Sequence, residues 1–150
     1  MISRAALALS VLMAVTPAAP VLAQTDTLPP NLAGLWTFEA DLNDICRFNG
    51  QARLIPTEDP LNFDCELTAE QDCPAAGVRY VVEQSCAVEI DEDIATVTST
   101  IDTFLAGEPT ENYLPDNFQL RIQSESHLQG VLLGSGAFPA EWRRAEGAIS

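Results

Sequence analysis

The stretch VRYVVEQSCAVEI, residues 78–90, gives the clearest indication of the fold. Apolar side chains recur at its even positions, and most polar ones fall at odd positions, so the apolar period is two residues. This alternation is typical of a β-strand with one face on a core and the other in water. The apolar set is Val78, Tyr80, Val82, Cys86, Val88 and Ile90.

The same period recurs along the chain, whereas a helical period of 3.6 residues is not sustained in any segment. Segments rich in Pro, Gly, Asp and Asn separate these stretches and predict turns. We therefore predict an all-β fold of about eight antiparallel strands in sequence order, closed into a small barrel, with a two-sheet sandwich as the alternative. The further strand segments are residues 35–40, 48–54, 61–67, 95–101, 118–122, 128–133 and 137–143.

The N-terminus has the pattern of a secretory signal peptide over residues 1–23. Arg4 precedes an apolar run at residues 5–15, which is too short to span a membrane, and Ala23 suits the cleavage enzyme. Residues 24–31 are polar and proline-rich and predict an extended tail. Residues 32–150 are expected to form one domain, located in the periplasm or secreted, with no membrane span.

The charge of the chain is strongly negative. It carries 22 acidic residues and seven arginines, has no lysine, and its formal net charge is −15. Such a surface repels phosphate backbones and anionic lipids, which argues against nucleic-acid and electrostatic membrane partners.

The residues available for catalysis are few. His127 is the single histidine, expected as an exposed turn residue, so relay and Schiff-base chemistry lack their usual groups. Glu39 and Asp102 are the carboxylates to check for a glycosidase pair, but exposed or structural roles are favoured. Residues 91–93, Asp-Glu-Asp, fit a charged hairpin tip better than a calcium loop. We expect no enzyme activity, no catalytic or metal-binding residues and no cofactor.

The four cysteines of the exported part, without close Cys-x-x-Cys spacing, predict two structural disulfides. Counting back from the turn at residues 56–60 places Cys46 opposite a residue near 70, which favours a Cys46–Cys73 bond. Cys65 and Cys86 then remain to pair with each other. This is a hypothesis among three possible connectivities.

A hairpin register also follows from the alternation. The inward positions are even before the turn at residues 91–93 and odd after it, so facing residue numbers must have an odd sum. A two-residue loop at Asp91 and Glu92 then predicts that Ile90 faces Asp93.

The opening of the first strand, Gly34-Leu35-Trp36, resembles the start of calycin barrels, the group that contains lipocalins, avidins and bacterial inhibitors of secreted zinc metalloproteases. In lipocalins the first-strand tryptophan closes the barrel floor beneath an arginine of the last strand. The resemblance implies this role for Trp36 with Arg143 or Arg144, in a cation–π contact.

Two further segments resemble the metalloprotease inhibitors in particular: the proline-containing tail before Leu32, and the start of a late strand at Pro115-Asp116. In that family the N-terminal tail enters the protease cleft. Four cysteines stand here where the family typically has two, and the middle of the chain carries no matching motif. The tail residues that the resemblance implicates are Gln24, Thr25, Asp26, Thr27, Leu28, Pro29 and Pro30.

The sequence thus predicts an exported, non-catalytic binding protein, most specifically a protease inhibitor that acts through its tail. One alternative is a lipocalin-like or avidin-like carrier of a small apolar ligand inside the barrel. Another is an accessory protein of the cell envelope without a pocket. The residues that would line the carrier's lumen are Trp36, Phe38, Phe48, Phe63 and Tyr80.

Overall fold

The computed structural model describes residues 13–21 and 28–145 and shows a closed barrel of eight antiparallel strands. Each strand pairs with the next along the chain, and the last strand pairs with the first. The predicted all-β meander is confirmed, and the sandwich alternative is wrong. The strands are β1 Gly34–Leu42, β2 Cys46–Pro56, β3 Asn62–Cys73, β4 Val78–Asp91, β5 Ile94–Ala106, β6 Asn117–Ser124, β7 His127–Leu133 and β8 Ala137–Arg144.

A single turn of 3₁₀ helix, Pro74–Ala76, joins β3 to β4. Across the described ranges, the structure contains no helix that is long and apolar enough to cross a membrane.

The two ends of the barrel carry different turns and loops. In an up-and-down meander, alternate turns lie at opposite ends. The start of β1 and the turns after β2, β4 and β6 therefore share one end, which we call the floor. The turns after β1, β3 and β7 and the loop of residues 107–116 share the other end, which we call the mouth.

Inward side chains fill the middle of the barrel. Phe38 and Trp142 stack with ring centroids 5.1 Å apart, and Phe118 meets Trp142 edge-on at the same distance. Gly50, on β2, leaves the space that the Phe38 ring occupies, since a Cβ atom there would overlap that ring. Offset and edge-on pairs of this kind stabilise by about 0.5–1.5 kcal/mol beyond the burial of their area.

The β4–β5 hairpin has a register two residues away from the predicted one. Ile90 faces Ala95, and Asp91 faces Ile94, so the connecting residues are Glu92 and Asp93. The predicted pairing of Ile90 with Asp93 is wrong, although the sum of facing numbers is odd as expected. A shift by two residues keeps every side chain on its face, so parity alone cannot choose between the two registers.

The two disulfides pair as the sequence hypothesis proposed. Cys46 bonds to Cys73 at the mouth end of β2 and β3, and Cys65 bonds to Cys86 across β3 and β4. Two bonds in one small domain fit an oxidising compartment.

The hairpin of β4 and β5 extends beyond the strand that follows it. β5 pairs with β6 only from Ile94 to Val97, and the rest of β5 continues toward the mouth. The loop of residues 107–116 must therefore return across the mouth to begin β6 at Asn117. The return of this loop creates a pocket at the mouth of the barrel.

Candidate functional site

The predicted binding tail lies only partly within the described residues. Gln24, Thr25, Asp26 and Thr27 fall outside them. Leu28 is 85% exposed. Pro29 is also exposed, and Pro30 is half-buried.

The chain becomes fixed immediately after these prolines. Leu32 is fully buried, and its carbonyl oxygen accepts a hydrogen bond of 2.9 Å from Nε1 of Trp36, which is also fully buried. The backbone N–H of Asn31 donates to Oε1 of Glu125 at 2.9 Å. The transition from exposed tail to buried core thus occupies only a few residues.

Arg144 binds this part of the backbone from the last strand. Its guanidinium donates to the carbonyl oxygens of Ala33, at 2.6 Å, and Asn31, at 2.9 Å. The same group lies over the Trp36 ring, 4.8 Å from its centroid, and also donates to the carbonyl of Glu125. We call Asn31, Leu32, Trp36, Glu125 and Arg144 the tail anchor.

Arg143, the other arginine suggested for the floor, has a different position. Its Nη2 donates to Oε1 of Glu141 at 2.6 Å, and its side chain is 62% exposed. Adjacent residues of a strand point to opposite faces, so only one of the two arginines can cover Trp36. The structure gives that place to Arg144.

The end of the barrel from which the tail leaves carries many acidic side chains. They lie on the turns after β2, β4 and β6, which surround the start of β1. Arg121 pairs with Asp93 within this set. The acidic residues of these turns and of the adjoining end of β4 are Glu58, Asp59, Asp91, Glu92, Asp93 and Glu125.

The lumen proposed for an apolar ligand is occupied by side chains. Trp36 is fully buried, and Phe38 and Phe48 are each 3% exposed within the aromatic cluster that Phe118 and Trp142 complete. Phe63 belongs to the same core at 5% exposure. These four residues form packed core, as is usual in small barrels.

Tyr80 differs from the other proposed lumen residues because it lines a pocket at the mouth. The pocket has a volume of about 180 Å³ and lies between the barrel opening and the returning loop. Its walls include Leu42, Leu132 and Phe138 on the apolar side, and Tyr113 and Asp116 on the loop.

Asp116 attaches the loop to the barrel wall. Gln84 donates from Nε2 to Oδ2 of Asp116 at 2.5 Å and accepts from the Asp116 backbone N–H at 2.9 Å. Tyr113 donates its hydroxyl to the same Oδ2 at 2.9 Å, and Ser99 donates to the Asp116 carbonyl at 2.7 Å. We call Gln84, Ser99, Tyr113 and Asp116 the mouth anchor.

Burial changes the acidity of both titratable groups of the mouth anchor. Asp116 is 5% exposed, and desolvation raises its pKa to about 6, although the hydrogen bonds from Gln84 and Tyr113 act in the opposite direction. Desolvation also raises the pKa of Tyr113, and the neighbouring Asp116 carboxylate adds to this effect.

The mouth anchor was not predicted from the sequence, but a signal for it exists. Gln84 and Ser99 stand at inward positions of β4 and β5, among apolar neighbours such as Val82 and Val97. A polar side chain on an inward strand position needs a buried partner. Polar residues at inward strand positions therefore indicate this end of the barrel.

No protein-family model, no curated protein and no solved structure matches this chain.

The residues considered for catalysis are dispersed. His127 begins β7 and contacts Oε1 of Glu141 at 2.6 Å; the expectation of an exposed turn residue is wrong, since its side chain is 27% exposed. Glu39 is on the outer face of β1, and Asp102 accepts from Ser85 on the outer face of β4. Within residues 13–21 and 28–145, no three His, Cys, Asp or Glu side chains are grouped to hold a metal ion.

Proposed function

We propose that this protein is an exported, non-catalytic binding protein that inhibits a secreted protease by inserting its N-terminal tail into the protease cleft. The observation that carries the proposal is the tail anchor. It fixes the backbone at Asn31 and Ala33 through Arg144, while Leu28 stays 85% exposed. A tail fixed at its base reaches its partner with a defined direction.

The composition of the tail supports the same function. Pro29 and Pro30 restrict the backbone to extended conformations, so the tail loses little conformational entropy when it binds. Preorganised extended segments are suited to narrow clefts, because main-chain hydrogen bonds and alternate side-chain pockets can both be used. Leu28 is the apolar side chain available for such a pocket.

Three features favour a particular class of partner. The resemblance of Gly34-Leu35-Trp36, of the tail and of Pro115-Asp116 to bacterial metalloprotease inhibitors favours a secreted zinc metalloprotease. The acidic turns at the floor lie at the end of the barrel where β1 begins, and they would speed association with a cleft that has a basic rim. Export through a signal peptide at residues 1–23, to the periplasm or beyond the cell, places the protein where such proteases occur.

The carrier function is less well supported. Four of its five proposed lining residues belong to the packed core, so the lumen offers no space for an apolar ligand without displacing Trp36 or Phe38. An accessory protein of the cell envelope would need neither the exposed Leu28 nor the fixed tail base.

The test is inhibition of a panel of secreted proteases by oxidised residues 24–150 and by the same protein without residues 24–30. The panel includes zinc metalloproteases, serine proteases and cysteine proteases. We expect inhibition of a zinc metalloprotease by the longer protein, its loss in the shorter one, and equal melting temperatures. Absence of inhibition across the panel, or equal inhibition by both proteins, would overturn the proposal.

A further inference from the structure

The Asp116 carboxylate is a buried charge without a counter-charge. Its side-chain hydrogen bonds come from Gln84 and Tyr113, both uncharged, and both end on Oδ2. In the part of the chain that the structure describes, no arginine or histidine forms an ion pair with it. Buried charges in proteins are normally paired with an opposite charge or bound to a cation.

The pocket beside Asp116 has no cationic side chain in its wall. Its lining combines the rings of Tyr80 and Tyr113 and the aliphatic surfaces of Leu42 and Leu132 with uncharged polar side chains. These polar residues are Gln71, Thr110, Asn112 and Ser135. Asp116 is the single formal charge in this wall, and its carboxylate repels an anionic ligand. A cationic ligand would find a carboxylate next to two tyrosine rings, and carboxylates and aromatic π systems both attract positive charge.

The chemistry of the wall also separates organic cations from metal ions. Calcium and magnesium require about six or more oxygen ligands, and zinc requires four ligands of the Cys, His or carboxylate type. Asp116 is the single carboxylate among the lining residues, and the other titratable groups there are Tyr80 and Tyr113. One carboxylate in an otherwise uncharged wall suits a singly charged alkylammonium ion.

We propose that the mouth of the barrel binds an aliphatic ammonium group. Its charge pairs with the Asp116 carboxylate beside the Tyr80 and Tyr113 rings, and its alkyl chain lies against Leu42 and Phe138. This site is at the opposite end of the barrel from the tail and does not depend on the proposed protease inhibition.

The size of the pocket limits the ligand. A volume of about 180 Å³ is below the roughly 300–1,000 Å³ typical of sites for drug-sized molecules. It accommodates a short alkylamine, or the end of a lysine side chain from another protein. Both present the same chemistry, and this chain has no lysine of its own to occupy the site.

The experiment titrates n-butylammonium chloride into the oxidised protein at pH 8 and follows the NMR signals of the Tyr80 and Tyr113 rings. N-acetyl-lysine methylamide is titrated in parallel to represent a lysine side chain, and n-butanol serves as the uncharged control. We expect saturable shifts with an ammonium compound and none with n-butanol. Saturation by butylammonium alone indicates a free amine, and saturation by the lysine derivative indicates a protein side chain.

Three substitutions test whether the ammonium compound binds at Asp116. Asp116→Asn keeps acceptor and donor atoms for Gln84 and Tyr113 but removes the charge, so it should weaken binding about tenfold or more. Asp102→Asn, on the outer face, is the matched control and should leave affinity unchanged. Tyr80→Leu, which removes one ring face, should also weaken binding and provides a second variant if Asp116→Asn does not fold. No saturable shift with either ammonium compound, or unchanged affinity in Asp116→Asn, would overturn the proposal.

Discussion

The guanidinium of Arg144 lies 4.8 Å from the centroid of the Trp36 ring while donating hydrogen bonds to the carbonyl oxygens of Asn31 and Ala33. One side chain of the last strand thus covers the barrel floor and fixes the base of the tail. The planar fork of arginine makes both contacts possible, and the point charge of lysine does not.

Arg144→Lys should reduce the free energy of unfolding by about 2 kcal/mol, because it loses hydrogen bonds to backbone carbonyls and the stacking on Trp36. Urea denaturation measures this change. Amide hydrogen exchange at residues 31–33 should accelerate in the same variant. Arg143→Lys, at the exposed neighbour, is the control and should change neither quantity; equal effects of the two substitutions would refute the role given to Arg144.

The two tryptophans provide a matched pair. Both are fully buried, but Trp36 donates Nε1 to the Leu32 carbonyl, whereas Nε1 of Trp142 has no partner among the described residues. Trp36→Phe should therefore destabilise the protein more than Trp142→Phe, by about 1–3 kcal/mol, since only the first leaves a buried carbonyl without its donor. Thermal and urea unfolding of both variants measure the difference, and a larger loss in Trp142→Phe would contradict it.

Asp116 should make stability depend on pH in a specific direction. Its pKa is about 6 in the folded protein, against the ordinary aspartate value of 3.8, so the folded state holds the proton more tightly. The protonated Asp116 side chain therefore stabilises the folded state at pH 4, and this stabilisation is lost as the pH rises through about 6. A shift of this size corresponds to about 3 kcal/mol.

The variant Asp116→Asn isolates this contribution, because the other acidic residues are common to both proteins. The free energy of unfolding of the variant minus that of the wild type should increase by about 2–3 kcal/mol from pH 4 to pH 8. Urea denaturation at a series of pH values measures the difference. A difference that is constant with pH would show that Asp116 is not held in a desolvating site.

The two disulfides should stabilise the folded protein by similar amounts. The bonds Cys46–Cys73 and Cys65–Cys86 close segments with sequence separations of 27 and 21 residues. Replacing either pair by alanine should lower the free energy of unfolding by about 3 kcal/mol, through the greater freedom of the unfolded chain. Denaturation of the two double variants checks this, and a negligible loss in either would contradict it.

The sequence predicts most of the barrel because the alternation of β4 repeats in every strand. It does not determine the β4–β5 register. Both candidate turns keep the side chains of Val88 and Val97 inside the barrel. Glu92 adopts a left-handed φ of 54°, which a glutamate in the sequence does not predict.

The candidate sites were predictable to different extents. Residues that belong to local motifs, such as Trp36 and the tail prolines, are visible in the sequence. The mouth anchor is not, because Gln84 and Asp116 are 32 residues apart and meet only through the return of the loop. Tyr80 was assigned to a ligand-binding lumen, and it lies instead at the pocket that this loop creates.

The proposed inhibition requires that the tail, and not another surface, enters the protease. The most direct measurement places a photo-crosslinking amino acid at Leu28 or, as the control, at Leu114, a leucine at the mouth that is 46% exposed. Each protein is irradiated with the zinc metalloprotease that it inhibits. We predict a crosslink from position 28 to the active-site cleft and none from position 114. A crosslink from position 114 without one from position 28 would contradict the claim.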